Sequence, residues 1–284
     1  MKIDNFTYQV YIISAVKIES VIEDQLNKLL EVETDDRFTV ESVYYRGDTL
    51  CVSTQIGCPV RCSFCASGRN GLIRNLSFEE IVFQYNLAEA EGMNIKNIAF
   101  AGIGEPLLNW ENVEKSFWYF KEKGLKCSFY TTGFPVKHLR ELLDLPHNGV
   151  NISFHAVSDE KRKQIIPYGE PLQKIVDTLK EHLGKLSNRK KKMYNIAYLL
   201  IKGFNDSEEE LDKLSDMAKN LNIGVSLLKY NEIDGLPYSS TTDEEYERAF
   251  LFLREKGIRV TLSNRYRTRK IGGCGTLMVN RMKS

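Results

Sequence analysis

The sequence predicts an α/β fold in which short strands alternate with amphipathic helices and wind into a partial (β/α)6 barrel, TIM-like in plan. Three observations predict it. From about residue 48 onward, runs rich in β-branched and aromatic residues alternate with runs at helical spacing. The 284-residue length is long for one ordinary domain and normal for an α/β barrel. The unusual words of the chain, GCPVRCSFC, GIGEP, TTGFP, SFHA and KYNE, fall just after strand-like runs, where such a barrel gathers its chemistry.

In chain order, 6–14 (FTYQVYIIS) and 38–45 (FTVESVYY) read as strands. Between them, Val21, Ile22, Leu26, Leu29 and Leu30 in ESVIEDQLNKLLEV stand at helical spacing. Residues 1–45 are therefore expected to form a small β-α-β lead-in docked on a core spanning 46–284. Core strands are expected at 48–56, 97–102, 127–132, 149–155, 194–201, 223–230 and 258–262. Helices are expected from SFEEIVFQYNLAEAEG, opened by a Ser77 to Glu80 capping box, and at 110–122, 171–186, 207–220 and 242–256.

A net charge of +1 announces no global basic field, so any nucleic-acid surface must be local. The opening MKIDNFTYQV has no cationic stretch leading into an apolar run, and no long apolar run follows, so a cytoplasmic protein without a membrane span is expected. Six cysteines, spaced for a cluster rather than a disulfide framework, agree with a reducing compartment.

Cys58, Cys62 and Cys65 stand as C-x-x-x-C-x-x-C. A structural zinc site closes with four ligands, and a cubane held only by cysteine also takes four; three thiolates leave one iron open. Gly104 and Glu105 open a GEP turn, where glycine permits close backbone approach and the carboxylate can accept from an ammonium. Ser153, Phe154 and His155 end a strand, and Asn231 follows a later one, on the same expected rim. Cys274 sits among Gly272, Gly273 and Gly275, with little wall of its own. Cys51 shares a strand face with Thr49 and Ser53, opposite Leu50 and Val52, and Cys127 reads as core.

The segments VSTQIGCPVRCSFCASGRNGLIRNLSFEEI, GIGEPLLN, NISFHAVSDEKRKQIIP and GGCGTL together resemble the class A radical S-adenosylmethionine (SAM) RNA methyltransferases, the RlmN and Cfr family, over about Val40 to Leu277. The resemblance implies a partial barrel of the radical SAM type, a 4Fe-4S cluster on Cys58, Cys62 and Cys65, and SAM bound along Gly104, Glu105, Ser153, Phe154, His155 and Asn231. It implies that Cys274 carries a methyl group, that Cys51 resolves the intermediate through a disulfide, and that Glu41 handles a proton or contacts the base. The substrate implied is an adenine carbon, C2 or C8, of rRNA or tRNA, and the electron donor is flavodoxin or ferredoxin. RYRTRK (Arg265, Arg267, Arg269, Lys270) and NRKKK are the candidate phosphate contacts. Two departures stand out: few residues precede Glu41 where the family carries an accessory N-terminal domain, and Tyr130 replaces a SAM-binding serine, leaving Thr131 or Thr132 to do its work. A compact relative acting on another RNA, a nucleotide or a peptide, and a non-catalytic iron-sulfur RNA-binding protein, are the alternative readings.

Overall fold

The computed structural model describes residues 18–23, 27–262, 275–278 and 280–281. Its strands are β1 (Ile18–Glu23), β2 (Asn27–Glu33), β3 (Phe38–Tyr45), β4 (Thr49–Val52), β5 (Gln55–Gly57), β6 (Leu72–Asn75), β7 (Asn97–Phe100), β8 (Lys126–Thr131), β9 (Gly149–Ser153), β10 (Tyr194–Leu200), β11 (Gly224–Lys229), β12 (Val260–Leu262) and β13 (Asn280–Arg281). The helices are α1 (Phe78–Ala90), α2 (Trp110–Glu122), α3 (Val136–Asp144), α4 (Asp159–Ile165), α5 (Leu172–Leu183), α6 (Asn188–Lys191), α7 (Glu208–Leu221) and α8 (Asp243–Glu255).

Among the described residues one 11-stranded sheet runs β1-β2-β3-β4-β7-β8-β9-β10-β11-β12, with β13 beside β3. From β4 to β12 every neighbouring pair is parallel, the partial barrel the alternating pattern predicts. Strand alternation then divides the side chains. Leu50, Val52, Phe100, Phe129, Ile152 and Tyr198 pack in the main core with Phe117 and Phe120 of α2, whereas Cys51, Ala101, Tyr130, Ser153, Leu199 and Leu228 turn to the concave side. Phe100 and Phe129 stack with centroids 4.7 Å apart, and truncating either to Ala would cost roughly 3–5 kcal/mol. The Ser77–Glu80 capping box is present at the start of α1.

The lead-in differs from its expectation. The helix read over ESVIEDQLNKLLEV is a hairpin, β1 paired antiparallel with β2 in the register Ile22↔Leu29. Its apolar spacing fits a ladder as well as a helix, and β3 decides, offering β2 a full antiparallel partner (Leu29↔Val43, Val32↔Val40) under which Leu30 is fully buried. Through β3 and β4 this hairpin extends the barrel sheet. The strand expected at 6–14 lies outside the described residues. No described helix is long and apolar enough to cross a membrane.

Candidate active site

The three-cysteine loop is held at its base by the two-stranded β5–β6 ribbon. Gly57 (φ +80°) approaches Gly71 so closely that a Cβ would lie 2.0 Å from the Gly71 carbonyl oxygen, which itself accepts from Cys58 N at 3.0 Å. Further along, Ser63 N donates to Ile165 O at 2.9 Å and its hydroxyl to Gln164 O at 3.2 Å, tying the loop to the end of α4. Phe64 packs edge-on against His155 at 5.2 Å. Cys58, Cys62 and Cys65 are partly exposed cysteines on one cavity of about 140 Å³, which Glu105, Ser153 and His155 also line.

Burial, with Cys65 beside it, pushes the Cys58 thiol up to about 12, and burial with two thiol neighbours raises the Cys62 thiol well above its ordinary value. Thiols this close, two of them hard to ionise without a countercharge, fit a cationic group. Among the described residues no His, Cys, Asp or Glu side chains close in threes on a single ion. A cubane takes each thiolate on a different iron, and the three cysteines of this one loop can supply them.

Glu105 N donates to Gln55 Oε1 at 2.8 Å, and Gly104 (φ +110°) precedes it because a Cβ there would meet Thr54 Oγ1 at 2.7 Å. The close approach expected of Gly104 is thus to a neighbouring loop of the protein. The Glu105 carboxylate is buried and fully engaged: Oε1 accepts from Leu107 N and the Thr131 hydroxyl, and Oε2 from Thr132 N (2.7 Å) and the Thr132 hydroxyl (2.8 Å). Each oxygen already carries two donors, so the carboxylate ties the β7 loop to the β8 loop and has no lone pair left for an ammonium. Both threonine hydroxyls are committed here as well, while Tyr130 lines the cavity.

Ser153 and His155 line the cavity, but the Phe154 side chain is fully buried in the core. His155 sits at φ +57°, a strained conformation for a non-glycine, and its Nδ1 accepts from Leu199 N at 3.0 Å. Burial lowers its pKa to about 3, so the ring is neutral, with its proton on Nε2. Asn231 is partly buried past the end of β11, and its neighbour Tyr230 lines the adjoining cavity. Sequence reasoning missed Arg162, buried on α4, and Asn205, whose Nδ2 donates to His155 O at 2.7 Å. Their only trace is local: Arg162 stands three residues before the apolar Ile165 on α4.

The adjoining cavity, about 180 Å³, shares Cys65, Ser153 and His155 with the first and adds Cys51, Gly275 and Leu277. Strand alternation thus turns Cys51 inward. Cys274 lies outside the described residues, but the segment after it is pinned across the site. Ala66 N donates to Gly275 O at 2.9 Å, the Ser67 hydroxyl to Leu277 O at 2.7 Å, and Met278 N to Glu41 Oε2 at 2.8 Å. Glu41 shares a face of β3 with Val43 and Tyr45, which line this cavity. Its pKa rises to about 7, mainly by burial, against the Met278 bond and with Glu31 adding. Cys127 is core, as expected.

Arg265, Arg267, Arg269 and Lys270 lie outside the described residues. NRKKK forms the short, exposed α6 ahead of β10, at the end of the strands opposite the cysteine loop, a position that favours a solvated face.

Residues 52–215, more than half of the chain, match the Radical SAM superfamily model. A protein of Pseudothermotoga lettingae named probable dual-specificity RNA methyltransferase RlmN is 38% identical over 243 residues, 80% of this chain and 68% of that protein. A protein of the same name from Dictyoglomus thermophilum is 34% identical over 269 residues, 90% of this chain and 76% of its own length. The crystal structure of a radical SAM methyltransferase from Sphaerobacter thermophilus superposes with a TM-score of 0.83 at 26% identity, covering 92% of this chain and 81% of that one. With the three-cysteine loop on the rim of a parallel partial barrel, these matches place the chain in the radical SAM superfamily and, within it, in the RlmN family of methyltransferases.

Proposed function

We propose that the chain methylates an adenine carbon in RNA, C2 or C8 of rRNA or tRNA, with Cys274 as methyl carrier, Cys51 as resolving thiol and Glu41 as the group that moves a proton. The observation that carries this reading is the shared cavity of Cys51 and Gly275, the residue after Cys274, beside Cys65 of the cysteine loop. Cys58, Cys62 and Cys65 would hold the 4Fe-4S cluster, which when bound supplies the electron that cleaves SAM. Ser153 and His155 line the space proposed for SAM, and Glu105 acts by holding its loop.

An adenine carbon between ring nitrogens is electron-poor, so it cannot take a methyl by simple nucleophilic attack on SAM. A methyl carried on the Cys274 sulfur could instead lose a hydrogen atom to the radical that SAM cleavage would supply and add to that carbon as a radical, the base then releasing its C–H proton and returning one electron to the cluster. The Cys51 thiolate then attacks the Cys274 sulfur, and an S–S bond forms as the bond from that sulfur to the carbon now on the base breaks. The electron pair leaves with that carbon, which takes up a proton to become the methyl group, and an external two-electron thiol reductant restores both thiols. Glu41, raised to about 7 by burial, is poised to exchange a proton near neutrality. A flavodoxin or ferredoxin is the proposed electron source.

The test is mass spectrometry of nucleosides from RNA incubated with anaerobically reconstituted protein, SAM and reductant, alongside Cys51→Ala and Cys274→Ala variants. Methyladenosine from the wild type, a ribonuclease-sensitive protein-RNA adduct from Cys51→Ala and neither from Cys274→Ala are expected. Normal turnover by Cys51→Ala would sink the two-thiol mechanism. Methylation of a peptide or free nucleotide in place of RNA would move the reading to the compact relative.

A further inference from the structure

Arg162 is a buried cation with no anion in direct contact among the described residues. Its residue is 2% exposed. Nη1 donates to Glu170 O at 2.9 Å, Nη2 donates to Thr132 O at 2.8 Å and Ser153 O at 3.2 Å, and Nε has no hydrogen-bond partner among the described residues. Among the described residues no carboxylate forms an ion pair with it. Carbonyl dipoles offset only part of the cost of removing a guanidinium from water, and a buried charge ordinarily has an opposite charge beside it.

The missing negative charge has an evident source. α4, which carries Arg162, is docked on the cysteine loop through both bonds from Ser63, and Ile165 and Ile166 pack in one apolar cluster with Phe64 and the three cysteines. Of the negative groups whose field reaches Arg162, Cys62 ranks first, ahead of Asp159 and Glu105. Two of its carbonyl partners, on Thr132 and Ser153, belong to residues that line the same cavity.

We propose that Arg162 is a positioning residue whose guanidinium is the built-in countercharge of the three cysteine thiolates and the cluster they would hold, easing its one-electron reduction. Reduction adds one electron from the external donor and one negative charge to the site, so a fixed buried cation stabilises the reduced state more than the oxidised one. The same fork fixes the Thr132 and Ser153 carbonyls, so charge and geometry come from one side chain. The inference rests on the cluster reading of Cys58, Cys62 and Cys65, but not on the identity of the methyl acceptor.

The test is a redox titration of reconstituted wild type, Arg162→Gln and Arg162→Lys, read by electron paramagnetic resonance, with iron content measured for each. At the wild-type midpoint the reduced-to-oxidised ratio is expected to fall about tenfold in Arg162→Gln, about 59 mV for one electron, and to stay within about threefold in Arg162→Lys, which keeps the charge. A wild-type ratio in Arg162→Gln overturns the proposal, and so does an equal fall in both variants, which marks a brace without an electrostatic role. Should Arg162→Gln not fold, Asp159→Asn takes its place. Asp159 opposes the Arg162 charge, and its Oδ1 accepts from Leu172 N at 2.6 Å, a bond that Asn retains. That variant is expected to raise the reduced fraction, and no change overturns the proposal. A wild type that holds no iron overturns the cluster reading itself, whereas a loaded wild type with an unshifted Arg162→Gln overturns this inference alone.

Discussion

Strand β3 and the rim loop after β7 each bury a glutamate near the two adjoining cavities, and the fold treats the two carboxylates in opposite ways. Glu105 takes donors from Thr131, Thr132 and Leu107 on both oxygens. Glu41 takes Met278 N and stands across the ladder from another carboxylate, Glu31. Burial raises both, but only one is surrounded by compensating donors. A carboxylate with every lone pair engaged is a tie between loops; one with a single donor and an acidic neighbour is poised to exchange a proton. The difference separates a carboxylate that ties loops together from one left able to titrate near neutrality.

Removing the tie should have the largest effect. Glu105→Ala strands four donors in the interior and is expected to lower unfolding stability by roughly 3–5 kcal/mol in urea melts, and a loss under 1 kcal/mol would place Glu105 among ordinary surface glutamates. Glu41→Gln should act on pH dependence instead. The folded carboxyl, at about 7, lies above its ordinary value of 4.5, so the folded chain binds the extra proton and stability falls as pH rises through that window. The full difference is on the order of 3 kcal/mol, and the Gln variant should flatten that slope; an unaltered slope would mean that Glu41 titrates normally. Thr132→Val, which deletes one hydroxyl donor to Glu105, is expected to cost about 2 kcal/mol, with Thr132→Ser restoring most of it. The smallest effect is that of Glu31→Gln, which removes the neighbouring charge and should move the Glu41 midpoint downward, visible as a shifted inflection in the same stability-against-pH curve.

The sequence by itself determined what is written locally. The cysteine spacing, the Ser77–Glu80 capping box and α2, read at 110–122 and found at Trp110–Glu122, need only neighbours within a turn or a short loop. The alternation of strand and helix signals that predicts the barrel is local too, because each strand's period and each cap is set by its own residues. At the site, the cysteine triplet, Ser153 and His155 were legible for the same reason: they occur as short words at strand ends. The tertiary structure decided everything that depends on what a residue meets far along the chain. ESVIEDQLNKLLEV suits a helix or a ladder until β3 pairs with it. Which face of β4 looks inward, and so whether Cys51 is a core thiol or a cavity thiol, is set by how the sheet curves. Thr131 and Thr132 are available to a ligand in sequence and taken by Glu105 in the fold. Glu41 meets Met278 across 237 residues of chain. Such contacts form only once closure of the sheet has offset the entropy of bringing distant segments together, and no window of the sequence contains both partners.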